Sequence, residues 1–171
     1  MECRKPEKIR PTEVLYDMRK SVSELLDRPF TERIDQQIFK PDQKVLALWA
    51  SDCAEHVLPF FEGKYSGDDR PRKAIGVCRE WARTGVFSMT VIRTASLWAH
   101  AAARDAKEDD AACFAAHAAG QAVGTAHVNT HAFGSSVYGI RAAAAYSGNA
   151  GDGLIKERDW QLERLREILK A

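Results

Sequence analysis

The chain has neither a long apolar run nor a closely spaced pair of cysteines. Its 171 residues include four cysteines, Cys3, Cys53, Cys78 and Cys113, and no two of them form a CxxC pair. Three of the four lie in apolar registers, where a free thiol behaves as a small hydrophobic side chain. We therefore expect a reducing compartment and no disulfide.

Signals for the membrane, for secretion and for nucleic acid are also missing. No stretch approaches the ~20 consecutive apolar residues that a membrane span requires. The opening MECRKPEKIRPTE lacks the apolar segment of a secretory signal. Lys and Arg number 25 against 24 Asp and Glu, so there is no excess charge of one sign to attract nucleic acid or anionic lipid. These features predict a cytoplasmic protein with neither a nucleic-acid nor a membrane partner.

Apolar residues recur at helical spacing throughout the chain, and no segment alternates long enough to predict a strand. We expect a loose leader at 1–10 and a single all-α domain at 11–171. Its architecture would be a compact bundle or array of about six to eight helices. The predicted helical segments are 12–28, 31–39, 42–63, 69–85, a segment capped by Ser88 or Thr90, 111–146 with a break at Gly134–Ser136, and a last helix after the loop 147–153.

Several single residues carry further expectations about this array. Gly63 is predicted to end the third helix in a left-handed conformation. Trp49, Trp81 and Trp98 fall on the apolar stripes of their helices and are predicted to be buried. Trp160 is predicted to anchor the last helix to the remainder of the domain.

Three stretches of this sequence together resemble a known family. They are LALWASDCAEHVLPFFEGKYSGDDRPRKAIGVCREWA (Leu46–Ala82), GQAVGTAHVNTHAFG (Gly120–Gly134) and DWQLERL (Asp159–Leu165). They resemble the Imm-5-like family of bacterial immunity proteins, which are linked to polymorphic-toxin systems, over roughly residues 42–165. The resemblance implies a small helical protein that binds a cognate toxin and neutralises it without catalysis. It assigns no functional residue.

A ridge of three arginines is the first candidate for contact with such a toxin. Arg72, Arg79 and Arg83 fall within about 40° of one another on the fourth helix, at 100° per residue. Arginine side chains suit phosphate or an acidic partner, although such a ridge is more often a solvated face. This arginine ridge and the acidic loop at Asp68 and Asp69 are the predicted partner-binding residues.

A divalent-metal site is the alternative hypothesis, either in a metal-binding helical protein or in a metal-dependent enzyme. His127 and His131 are four residues apart, as are Asp52 and His56, and this spacing places each pair on one helical face. Facing helices that brought the two pairs together would supply four ligands. The chain contains no HExxH motif, and we otherwise expect no cofactor and no catalysis.

Packing is the competing interpretation of the histidines. Gly120 and Gly124 lie near the face that carries them, and two glycines four apart let another helix approach closely. Histidines beside such a contact can form hydrogen bonds across it. A second alternative is a structural homo-oligomer, with the glycine face or the last helix forming a symmetric dimer contact.

Overall fold

Seven helices of 15 residues or more account for most of the chain in a computed structural model, which describes residues 10–33 and 35–171. This part of the chain contains no strand, so the all-α prediction with six to eight principal helices is confirmed. Two single-turn helices and a 3-10 turn complete it. The helices are α1 (Pro11–Leu25), α2 (Gln36–Phe39), α3 (Gln43–Val57), α4 (Pro59–Glu62), α5 (Arg70–Thr84), α6 (Met89–Asp105), α7 (Asp110–Gly124), α8 (His131–Tyr146) and α9 (Ala150–Lys170), with the 3-10 turn at Lys40–Asp42.

Helix α7 lies at the centre of the fold because most of its surface consists of small apolar residues. It contacts α3, α5, α6 and α8, and most of its residues are buried alanines or glycines. A helix that is apolar all round belongs in an interior. Larger side chains fill the space around it, with Trp49, Phe61, Phe133 and Ile140 completely buried. The core is therefore built from alanine surfaces on α7 and bulky residues on its neighbours.

Local capping chemistry fixes several helix ends as expected. The Ser88 side chain accepts a hydrogen bond from the Val91 amide at the start of α6. Gly85 ends α5 with a φ of 71°, the left-handed conformation that glycine adopts without strain. The prediction for Gly63 is wrong, because its φ is −62°. Pro59 begins the separate turn α4, so the long third helix already ends at Val57.

The break between α7 and α8 is at residues 125–130, and not at Gly134–Ser136 as predicted. Gly134 lies inside α8, where an added Cβ would be 2.6 Å from Gln121 Oε1. Ser135 is buried and donates to the carbonyl oxygens of Ala50 and Ala118, each at 3.0 Å. These small residues allow helices to pack closely. Segments that pack closely and segments that form turns are both rich in glycine and serine, so the sequence does not distinguish them.

Two other predicted segments differ at their ends. Among the described residues of the segment 31–39, which leave out Ile34, the helix is Gln36–Phe39, and Asp35 caps it by accepting from the Gln37 amide. The last helix begins at Ala150, inside the predicted loop 147–153, because the Asn149 side chain caps it. Residues 1–9 of the predicted leader, together with Cys3 and Ile34, lie outside the described residues.

No helix within 10–33 and 35–171 combines the length and the apolar character that crossing a membrane demands. In the same part of the chain Cys53, Cys78 and Cys113 are free thiols. Cys53 and Cys78 are completely buried, and burial raises the pKa of the Cys78 thiol to about 11. These two sulfurs therefore stay protonated and act as core hydrophobes.

Candidate protein-binding groove

The arginine ridge lies on the surface of α5 among carboxylates from neighbouring elements. Arg79 donates to Asp52 Oδ1 and Glu55 Oε2, each at 2.7 Å. The Arg79 hydrogen bond is the main reason that the pKa of Glu55 is lowered. Arg164 of α9 donates to the other oxygen of Asp52 at 2.7 Å. Arg79 thus joins a charge network that links α3, α5 and α9.

The remaining predicted contact residues are also engaged within the chain. Arg72 forms a bidentate pair with Glu62, and Arg83 forms one with Glu80. Each of these guanidinium groups already has a carboxylate in contact, which reduces the charge that it offers to a partner. Partner contact by the arginine ridge stays a prediction.

The acidic loop before α5 is tied down in the same way. Asp68 accepts from the Arg70 guanidinium at 2.6 Å, and that group also donates to Asp105 at 2.7 Å. Asp69 pairs with Lys73 at 2.9 Å on the exposed surface. The loop therefore holds the start of α5 against the end of α6.

The two histidines of the proposed metal site do not share a helical face. His131 is the first residue of α8, whereas His127 lies exposed in the turn that precedes it. The expectation of one helical face is wrong because the helix break falls between α7 and α8 rather than at Gly134. His131 Nδ1 is 2.7 Å from Gln121 Oε1, and burial lowers the pKa of His131.

Asp52 and His56 do lie on one helix, α3, but other groups occupy them. Asp52 accepts hydrogen bonds from two arginines, as described above. His56 Nδ1 is 2.8 Å from the buried carboxylate of Glu157, and its ring stacks on Trp160 at 3.6 Å between centroids. This stack anchors α9 as predicted for Trp160. Across the described chain, no three His, Cys, Asp or Glu side chains are grouped so that they could hold a metal ion.

The glycine face of α7 is used for packing inside the chain. A Cβ on Gly120 would lie 2.8 Å from the His100 ring of α6, so glycine is what allows the two helices to approach. His100 Nδ1 and His117 Nδ1 are 2.7 Å apart. Burial lowers the pKa of His100 to about 4, so the pair is neutral, with one nitrogen donating and the other accepting. This geometry matches the packing interpretation, and it leaves Gly120 unavailable for a dimer contact.

Large apolar side chains are exposed along helix α6 and in the loop that precedes it. Trp98 is 56% exposed and Val86 is 76% exposed. Six of the eleven large hydrophobic residues that are exposed in the described chain fall in this one short stretch. We call this surface the α6 face, and it consists of Val86, Phe87, Met89, Val91, Leu97 and Trp98.

The burial predicted for Trp98 is wrong because α6 carries two apolar stripes. Ile92, Ala99 and Ala102 form the stripe that packs inward, and the small alanines let α6 lie close to α7. Val91 and Trp98 form the second stripe, seven residues apart on one side of the helix. Only the first stripe is covered by neighbouring helices.

A groove of about 860 Å³ runs along the second stripe, between α5 and α6. Its apolar lining includes Val77 and Trp81 from α5 and Val91, Ala95 and Trp98 from α6. On the other flank of α6 is a smaller cleft of about 380 Å³, lined by Met89, Ile92, Arg93, Ser96, Leu97, Gly124, His127 and His131. The α6 face is therefore a ridge with a depression on either side, a shape suited to receiving another protein's side chains.

Comparison with known proteins agrees with the family that the sequence resembles. The model of one family, described as "Imm-5 like putative immunity protein", matches residues 36–168. No curated protein and no solved structure matches the chain. The family match covers α2 to α9 almost completely, including both sides of the groove. The chain belongs to the Imm-5 like putative immunity protein family.

Proposed function

We propose that this chain is an immunity protein that binds a cognate toxin through the α6 face and blocks it without catalysis. The uncovered apolar face of α6 is the observation that carries the proposal. Contiguous exposed apolar surface of this kind is typical of protein-interaction sites, where aromatic anchors provide much of the binding energy. Membership of a family described as immunity proteins supports a protein toxin as the partner.

The composition of the groove supports binding rather than chemistry. Its lining is largely apolar, and the described residues that form it include no His, Cys or Asp. The carboxylate that lines it, Glu80, is engaged by Arg83. An apolar groove with no histidine or cysteine in its described lining suits a protein that acts by occupying its partner.

The proposal places the protein in the cytoplasm, where it would meet a toxin before its target is damaged. The free thiols of Cys53 and Cys78 are in keeping with a reducing compartment. Arg72, Arg79 and Arg83 stay a predicted second contact, which alanine substitution would test separately from the groove.

The test is protection of cells that co-express this chain with toxin domains encoded by neighbouring genes. We expect the wild-type chain to restore growth against one of them, and Trp98→Ala and Gly76→Phe to lose protection. Gly76 lines the groove, and nothing lies within 4 Å of a Cβ built there, so a phenyl ring would fill the groove without disturbing the fold.

Gly148→Phe is the matched control, because Gly148 is also open to solvent but lies far along the chain in the α8–α9 connection. It should protect as well as wild type. Full protection by both groove variants at wild-type expression would contradict the proposed site. No protection by wild type against any neighbouring toxin would contradict the function.

A further inference from the structure

We propose that the α6 face recognises an acidic amphipathic helix of the partner, whose carboxylates meet Arg93 and Arg104 while its apolar side chains cover Met89 and Leu97. The proposal rests on the proposed function and names the chemistry of the partner surface. Its basis is the pattern of charge along α6, which differs from that of the arginine ridge on α5.

Arg93 and Arg104 are the exposed arginines of α6, and neither has a carboxylate within 4 Å in residues 10–33 and 35–171. Nearby arginines are heavily engaged, since Arg70 and Arg79 each contact two carboxylates. Helix α6 carries no acidic residue before Asp105, and that side chain is bonded to Arg70. The positive charge on α6 is thus left for an outside partner.

The two arginines are arranged as a matched pair. They are eleven residues apart, which corresponds to about 20° around the helix and roughly 16 Å along it. Met89 and Leu97 lie on the same row and are both exposed. We call this row, Met89, Arg93, Leu97 and Arg104, the Arg93 row. Because it borders the 380 Å³ cleft, a partner helix lying along it would place side chains in that cleft.

Charge argues against a second copy of this chain as the occupant. An antiparallel α6 pair related by a two-fold axis midway between the arginines sets Arg93 of each copy opposite Arg104 of the other. A parallel, in-register pair sets each arginine against its own copy. Both arrangements bring like charges together, whereas a helix with two carboxylates three turns apart neutralises both. The occupant that the row fits is therefore acidic.

The test uses a display library of 18-residue helical peptides on a Leu/Ala framework, selected against the immobilised full chain at about 0.1 M salt. Two positions eleven residues apart, on the side of the peptide helix that would face Arg93 and Arg104, are varied among Glu, Gln and Lys. We expect Glu at both positions, with binding roughly 3- to 10-fold tighter than that of the Gln peptide. Arg93→Glu with Arg104→Glu should reverse the preference towards Lys.

Lys156→Glu with Lys170→Glu is the control, because both lysines are exposed on α9, away from the Arg93 row, and the two changes together add the same negative charge as the double arginine variant. It should leave the preference for Glu intact. Selection of Gln or Lys by the wild type, no reversal in the double variant, or no peptide binding would each overturn the acidic partner. A wild-type dimer in sedimentation that Leu97→Glu dissociates would overturn it in favour of a second copy. Protection in the co-expression assay is measured separately, so failure of the acidic-helix proposal can be told apart from failure of the proposed function.

Discussion

The neutral pair His100 and His117 should make folding stability depend on mild acid. Burial lowers the pKa of His100 to about 4, and it also lowers the pKa of His117. Below the ordinary histidine pKa of 6.5 these two histidines bind protons in the unfolded chain but stay neutral in the folded chain. The stability that the neutral pair contributes is therefore fully present above pH 6.5 and is lost as the pH falls from 6.5 towards 4.

The size of the effect follows from the shift at His100. Moving from pH 7.5 to pH 5 costs about 2 kcal/mol of unfolding free energy if the full shift applies. His100 keeps partial contact with solvent, so screening reduces this to about 1 kcal/mol. With a urea m-value of about 2 kcal/mol/M, the unfolding midpoint should fall by about 0.5 M.

Urea unfolding of wild type and His100→Asn at pH 7.5 and 5 measures this directly. The asparagine amide can replace the Nδ1 hydrogen bond to His117 but cannot titrate. The variant should therefore lose clearly less stability than wild type between the two pH values. An equal loss in both proteins would refute the assignment of the acid sensitivity to this pair.

Three further predictions concern packing and charge, all measured by thermal or urea unfolding. Gly153→Ala should destabilise by about 1–3 kcal/mol, since its Cβ would meet a backbone oxygen of α8 at 2.7 Å, whereas Gly76→Ala should stabilise by about 0.5–1 kcal/mol. Equal effects of the two would contradict the close α8–α9 contact. Gln161→Ala should cost about 2–3 kcal/mol, because this buried amide bonds both a serine and a carboxylate. An unchanged unfolding midpoint would show that water replaces the hydrogen bonds of the Gln161 amide. Arg79→Ala should cost about 1 kcal/mol while Arg83→Ala leaves the midpoint unchanged, because only Arg79 links separate elements; the reverse order would contradict the network.

Helix starts and ends were predictable where their chemistry is local. Ser88 and Gly85 act on the backbone within three or four residues, so their roles can be inferred from the sequence around them. Gly134 shows the opposite case. Its sequence context resembles a helix break, but glycine is needed there because Gln121 of the preceding helix packs against it. A glycine in a turn and a glycine at a helix crossing have the same local signature.

The candidate site could not be predicted from helical spacing, because its exposure depends on how distant helices pack against α6. Spacing identifies both apolar stripes of α6, but which one is covered depends on where α7 lies. Trp98 was therefore predicted to be buried, although the second stripe, Val91 and Trp98, was a visible signal. The sequence placed Arg79 on α5, but the carboxylates that engage it come from α3, a different element.

Calorimetric titration of the cognate toxin with wild type, Trp98→Ala, Gly76→Phe and Gly148→Phe tests the central claim most directly. Trp98 is 56% exposed, and covering that area at about 25 cal/mol per Å² corresponds to about 3 kcal/mol, or roughly 100-fold in Kd. We predict a loss of that order for Trp98→Ala, abolished binding for Gly76→Phe and wild-type affinity for Gly148→Phe. Wild-type affinity in all three variants would contradict binding through the α6 face.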